Sequence, residues 1–138
     1  MEIKLKDHAQ DWHMIREEVF IKEQGFQHEF DTIDDIAIHT VIYIDHQPAG
    51  CGRTYPDEHE LGLWHLGRLA ILPAYRKQGL GASLIQALEQ AASKQGAKQM
   101  LLSAQDHAIA FYQKNGYQPL GEFYMDEHVP HQDMKKSL

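Results

Sequence analysis

A single cysteine, Cys51, leaves the chain without an internal disulfide and without the sulfur ligands of a cysteine-based zinc cluster. Set between Gly50 and Gly52 among apolar residues, it reads as buried filler. A reactive thiol needs an electropositive setting that the neighbouring sequence does not provide. No apolar run approaches the roughly 20 residues that span a bilayer. The N-terminus alternates apolar and charged residues, Met1-Glu2-Ile3-Lys4-Leu5-Lys6, where a signal peptide would show a basic start and an unbroken apolar stretch. The expectation is a cytoplasmic protein with no membrane partner. Positive charge is also scarce: 13 Lys and Arg stand against 20 Asp and Glu, a net charge of −7. That is the wrong sign for a surface that tracks nucleic-acid phosphates, so no nucleic-acid partner is expected. It suits a cationic acceptor such as an amine. Repeats, low-complexity tracts and Pro/Gly/Ser linkers are missing, so 138 residues are expected to form one domain. The 10 histidines show no His-Glu-x-x-His or similar ligand spacing, even where His128 and His131 or His28, Glu29 and Asp31 lie close in sequence. No metal site is expected.

What is present is an ordered alternation of strand and helix signals. Glu2–Lys6 has the period of two of a short strand. Trp12, Ile15 and Val19 share one face of a helix capped by Asp11 and fading near Gln24-Gly25. Phe26–Asp35 lacks periodicity and reads as a polar loop. Ile36–Ile44, rich in β-branched residues, is a strand; Asp45–Gly50 turns, and Cys51–Tyr55 returns as its hairpin partner. After a turn over Pro56–Glu60, Trp64–Leu72 is a third long strand, stopped at Pro73. Leu80, Leu84, Leu88 and Ala91 form the stripe of an amphipathic helix ending at Gly96. Gln99–Ala104 is a strand, His107–Asn115 a brief helix capped by Asp106 with Gly116 at its end, and Tyr117–Met125 and His131–Lys135 close the chain as strands. The expected fold class is mixed α/β (α+β), a sheet with helices packed on its faces.

The stretch Leu66–Gly81 carries the chemistry. It joins a strand to a helix through a turn containing Arg76-x-x-Gly79-x-Gly81. Backbone N–H groups in a helix's first turn lack intrahelical partners, and the macrodipole adds about half a positive charge there. Glycines let an anion approach those groups closely, and Arg76 and Lys77 bring mobile positive charge beside them. The set makes a cradle for a diphosphate. A nucleoside-triphosphate loop is excluded, since Gly81 is followed by Ala82-Ser83 rather than Lys-Ser/Thr. A dinucleotide fingerprint is excluded too, lacking its third glycine and the later acidic residue. The bare pattern equally fits two glycines that merely let strand and helix pack tightly.

A second segment, Ala110-Phe111-Tyr112-Gln113-Lys114-Asn115-Gly116-Tyr117, follows the next strand at the spacing of an adjacent βα unit. With these two segments in this order, the chain resembles the GCN5-related N-acetyltransferases over roughly Ile36–Met125. Arg16-x-x-Val19-Phe20-Ile21-x-Glu23-Gln24, Glu29-x-Asp31, Asp34-x-x-x-x-His39 and Asp126–Met134 are similar to the small bacterial ElaA-like and YjcF-like subgroup. The resemblance implies a mixed central sheet with splayed parallel strands in its middle, Trp64–Leu72 and Gln99–Ala104, and acetyl-CoA as cosubstrate between them. It implies that backbone groups of Leu69, Ala70 and Ile71 hold the pantetheine arm. The amides of Arg76, Lys77, Gln78, Gly79, Leu80, Gly81 and Ala82 would hold the pyrophosphate, and Tyr112 would protonate the departing thiolate. Read from the residues alone, Tyr112 is a core aromatic beside Phe111, and only the resemblance reverses that preference. Glu23, Glu29, His39 and Arg68 fall in segments that the resemblance places around the acceptor, although a solvated or salt-bridged role suits each of them. The implied activity is transfer of an acetyl group to a small-molecule or protein amine. A non-catalytic acyl-CoA-binding module and a transferase of another acyl-CoA are the alternatives, and a homodimer is compatible with the fold.

Overall fold

The computed structural model describes residues 1–5 and 8–138. Seven strands form one sheet in the order β1-β2-β3-β4-β5-β7-β6. They are β1 (Glu2–Leu5), β2 (Ile38–Ile44), β3 (Gln47–Pro56), β4 (Leu63–Ile71), β5 (Gln99–Gln105), β6 (Gln118–Asp126) and β7 (Val129–Ser137). Only β4 and β5 run parallel, and the helix α2 (Leu80–Lys94) makes the crossover that such a pair requires. The expected architecture, a mixed sheet covered by helices, is what forms. Lys6, placed in the first strand on sequence, lies outside the described residues.

Alternation along the strands divides the core. Val41, Tyr43, Cys51 and Ala70 point to the face covered by α1 (Ala9–Arg16) and the wider π-helical winding over Glu17–Glu23 that continues it, and they pack on Trp12, Ile15, Val19 and Phe20. Ile42 and Ala49 point to the opposite face, onto Leu80 and Leu84 of α2. The α2 stripe is buried as its spacing requires, and Gly96, at φ +97°, ends the helix in the left-handed conformation that glycine tolerates. Cys51 is buried and its thiol is pushed up to about 12 by burial, which makes it inert filler.

Several boundaries differ from the sequence reading; the helix expected over His107–Asn115, for one, is a 3-10 turn over Asp106–Ala108 that includes Asp106, followed by a helix over Ile109–Lys114. The first helix begins at Ala9 with His8 in the cap position, and the Asp11 carboxylate accepts a hydrogen bond from the Tyr43 hydroxyl instead of capping. The β2–β3 turn is only Asp45-His46, both at positive φ, and Gln47–Gly50 belong to the strand. Pro48 is tolerated there because β4 begins pairing with β3 only at Gly50, so no neighbour asks for its missing N–H. The segment read as a polar loop ends in a single 3-10 turn over Thr32–Asp35. Glu29, Asp31 and Asp34 within it are partners of buried arginines, as described below.

Candidate active site

The site begins with an irregularity in β4. Cys51 pairs with Ala70 and Arg53 with Gly67, so Arg68 and Leu69 together oppose the lone Gly52. This is a β-bulge, with Arg68 at φ +51°. A Cβ on Gly52 would lie 2.7 Å from Leu88 Cδ1 and 3.1 Å from Leu69 Cδ1, so any larger residue here must displace those side chains. The bulge bends β4, and its parallel pairing with β5 stops at His65 opposite Leu101. Beyond that point the two strands diverge, and the cleft between them holds both sets of residues that the sequence marked.

The larger part of the cleft, about 780 Å³, is bordered by Leu69, Ala70 and Ile71 on one side and by the turn into α2 on the other. Arg76, Lys77, Gly79, Leu80 and Gly81 all reach it; Gln78 and Ala82 stand outside its lining. The two glycines do different work. Gly79 sits at the cap of α2 at φ +77° with nothing within 4 Å of where a Cβ would be, so it supplies backbone conformation and open access. A Cβ on Gly81 would lie 2.8 Å from the Phe111 ring, so Gly81 allows α2 to approach α3 (Ile109–Lys114). The packing explanation therefore holds for Gly81, against a helix and not a strand, and fails for Gly79. Arg76 is tied to neighbouring groups: its guanidinium forks onto both Glu23 oxygens at 2.6 and 2.7 Å, while its Nε donates to the Ile71 carbonyl at 2.9 Å. Glu23 thus borders this part of the cleft as the partner of Arg76.

Tyr112 lies where the large cleft meets a smaller pocket of about 140 Å³. Its ring packs edge-on to Phe111 and Tyr117, so the aromatic-core role is real. Its hydroxyl has no hydrogen-bond partner among the described residues. Burial pushes the phenol up to about 12, so it keeps its proton throughout the neutral range.

Glu29 and Arg68 line the small pocket; His39 lies outside both spaces. Glu29 and Arg68 belong to an electrically balanced network of three arginines and three carboxylates that reaches the pocket through these two residues, and His39 is hydrogen-bonded to its edge. Arg16, 1% exposed, donates to Glu29 Oε2 at 2.8 Å and to Asp34 Oδ1 at 2.7 Å, and packs against both the Trp12 and the Phe30 ring. Arg53 bridges Asp31 and Asp34, both at 2.7 Å, and Arg68 reaches Glu29 Oε2 at 3.0 Å. Burial pushes the Glu29 carboxyl up against the pull of Arg68 and Arg16, and both guanidiniums converge on one of its oxygens, Oε2. His39 stacks on Trp12 with 4.0 Å between ring centres and donates from Nε2 to the Asp34 carbonyl. Burial holds its imidazole below the usual range, hence neutral.

Burial alone would raise the Asp34 carboxyl, but Arg16 and then Arg53 overcome it and hold it at about 2, against an ordinary 3.8. A depressed carboxyl stabilises the fold above its unfolded value, and that contribution disappears as pH falls through its folded value. The gap in unfolding free energy between wild type and Asp34→Asn should therefore shrink by about 2 kcal/mol between pH about 5 and pH about 2. Urea unfolding at a series of pH values measures it; a gap that stays constant would show that Asp34 does not titrate in that window.

The sequence reading did not assign a role to His131, considered there only as a metal ligand. It is 5% exposed and lines the small pocket together with Tyr112 and Asp126. Its place follows from the register, which sets it between Gln105 of β5 and Tyr124 of β6. No group of three or more His, Cys, Asp or Glu residues is arranged to hold a metal ion among the described residues, and no described helix is long and apolar enough to cross a membrane.

Comparison with known proteins agrees with this geometry. The family description "Acetyltransferase (GNAT) domain" matches residues 7–138. The chain is 36% identical to the uncharacterized N-acetyltransferase YjcF of Bacillus subtilis (strain 168), over 96% of this chain and 95% of YjcF. Among solved structures, an acyl-CoA N-acyltransferase from Pseudomonas aeruginosa superposes with a TM-score of 0.86 at 28% identity, covering 99% of each chain. Escherichia coli ElaA shares the fold with a TM-score of 0.85 at 23% identity, over 98% of each chain.

Proposed function

The chain belongs to the GNAT acetyltransferase family, and on that premise we propose that it is a cytoplasmic enzyme that transfers the acetyl group of acetyl-CoA directly to a primary amine, both substrates being bound together. One observation carries the reading: the divergence of β4 from β5 opens a single cleft with an anion-ready glycine turn at one end and a protonated phenol at the other. The open edge of β4 at Leu69–Ile71 offers backbone donors and acceptors to the amide-bearing pantetheine arm. The first-turn amides of α2, reached past Gly79, and the Lys77 side chain offer positive potential to the pyrophosphate. The small pocket beyond Tyr112 receives the amine.

Acyl transfer then needs orientation, a neutral amine and a proton for sulfur. The cleft holds the two reactants in line, a large share of such a barrier. The Tyr112 hydroxyl protonates the sulfur as the carbon–sulfur bond breaks, which keeps the thiolate from attacking in reverse. The test is thiol release from acetyl-CoA in the presence of a panel of primary amines and lysine peptides. Amine-dependent release with an N-acetylated product supports the reading. Tight acetyl-CoA binding with no release across the panel would favour a sensing module, and faster release from propionyl- or succinyl-CoA would reassign the donor.

A further inference from the structure

An amine arrives at neutral pH mostly as its ammonium ion, so the reaction also requires a group that removes a proton at the acceptor side. Among the residues expected on sequence to surround the acceptor, Glu23 is forked onto Arg76, Glu29 is shared between two arginines, and His39 lies outside the pocket. His131 is differently placed. Its Nδ1 lies 2.9 Å from the Val129 carbonyl oxygen, an acceptor only, so Nδ1 must carry the hydrogen. The lone pair is then on Nε2, on the side of the Asp126 carboxylate, at 4.0 Å, which itself lines the pocket. The ring is held by Tyr124 stacked across the strands and by Phe26 edge-on.

From this arrangement we propose that His131 is the general base of the acetyl transfer, with Asp126 as the carboxylate that draws the ammonium to it and steadies the imidazolium that forms. The inference rests on the acetyltransferase reading and adds to it a proton acceptor on the wall of the pocket that Tyr112 also borders. The protons balance. One ammonium hydrogen passes to His131 Nε2 and on to water; the free amine attacks the thioester carbon, and the carbon–sulfur electron pair leaves with sulfur. Tyr112 protonates that sulfur, and a second hydrogen leaves the acylated nitrogen to restore the phenol. The products are an amide, CoA thiol and one released proton.

Other ionisable groups face the same pocket and bear on its pH response. Glu29 and Arg68 are paired with each other, and outside the lining the Tyr124 phenol stacked on His131 donates to Asp133. The imidazoles of His28 and His107 also line it, while His128 is turned toward the Gln24 carbonyl with its ring against Phe26. Only His131 among these imidazoles is fixed by a backbone carbonyl with its second nitrogen beside a carboxylate.

The experiment uses His131→Gln, with n-butylamine as acceptor and thiol release as readout, beside calorimetry with acetyl-CoA. The variant should lose about 100-fold or more in kcat/KM for the amine and bind acetyl-CoA as the wild type does. Its rate should climb steadily with pH where the wild type levels off. Nitrogen-15 spectra of histidine-labelled protein should show His131 protonated on Nδ1. An unchanged pH profile in His131→Gln, or a hydrogen on Nε2 in the resting enzyme, overturns the assignment while acetyl-CoA binding and turnover remain. A wild-type protein that takes up no acetyl-CoA brings down the acetyltransferase reading itself, a distinct signature.

Discussion

Replacing Arg16 by leucine is expected to lower the unfolding free energy by about 3–5 kcal/mol, the range found when one partner of a buried ion pair is removed. The side chain is 1% exposed and holds two carboxylates, Glu29 and Asp34, that sit on a different segment of the chain. Leucine would fill much of the volume beside Trp12 and Phe30 but leave those carboxylates short of a counter-charge. A lysine should rescue little, because one ammonium cannot match a planar fork that bonds Glu29 through Nε and Asp34 through Nη1. The effect should be visible as a fall of about 10–20 °C in Tm. A change of only about 2 °C would mean that the network contributes little and that the hydrophobic packing of Trp12 and Ile15 carries this region alone. Acetyl-CoA affinity should suffer less than acceptor turnover, since the network reaches the small pocket and not the phosphate turn.

Tyr112→Phe is the second large effect. The substitution keeps the ring that packs against Phe111 and Tyr117 and removes only a hydroxyl with no partner among the described residues, so stability should stay within about 1 kcal/mol. Turnover at saturating substrates should fall about 100-fold or more, with the acetyl-CoA dissociation constant unchanged within about twofold. The pH profile supplies the sign. Burial raises the phenol to about 12, so the donor stays protonated through neutral pH and is lost only in strong base. A phenylalanine variant that turns over at the wild-type rate would return Tyr112 to the purely packing role that its neighbours on α3 also fit.

How far the sequence could be read depended on how local each feature is. The α2 stripe, the glycine turn and Tyr112 are fixed by residues within a few positions of one another, and each lies where spacing placed it. The arginine network joins residues 13 to 39 positions apart, so Asp31 and Asp34 looked like a solvated loop until Arg16 and Arg53 were beside them. The bulge at Arg68 has no side-chain signature; it follows from the pairing count between Cys51 and Arg53 and is what opens the cleft. His131 was hidden for a similar reason. Its role depends on the β5–β7 register that brings the end of the chain against Gln105 and thereby against the acceptor pocket.

If the divergence of β4 and β5 creates an acyl-CoA site, the protein binds acetyl-CoA, and calorimetric titration reads that binding. Gly79→Val is the informative comparison, because Gly81 is committed to Phe111 and its replacement would disturb packing whether or not a phosphate binds. Saturable one-to-one binding is expected, lost in Gly79→Val under conditions where circular dichroism shows that variant folded. A flat titration of the folded wild-type protein would contradict it, and the glycine turn would then be only the way this chain starts a helix.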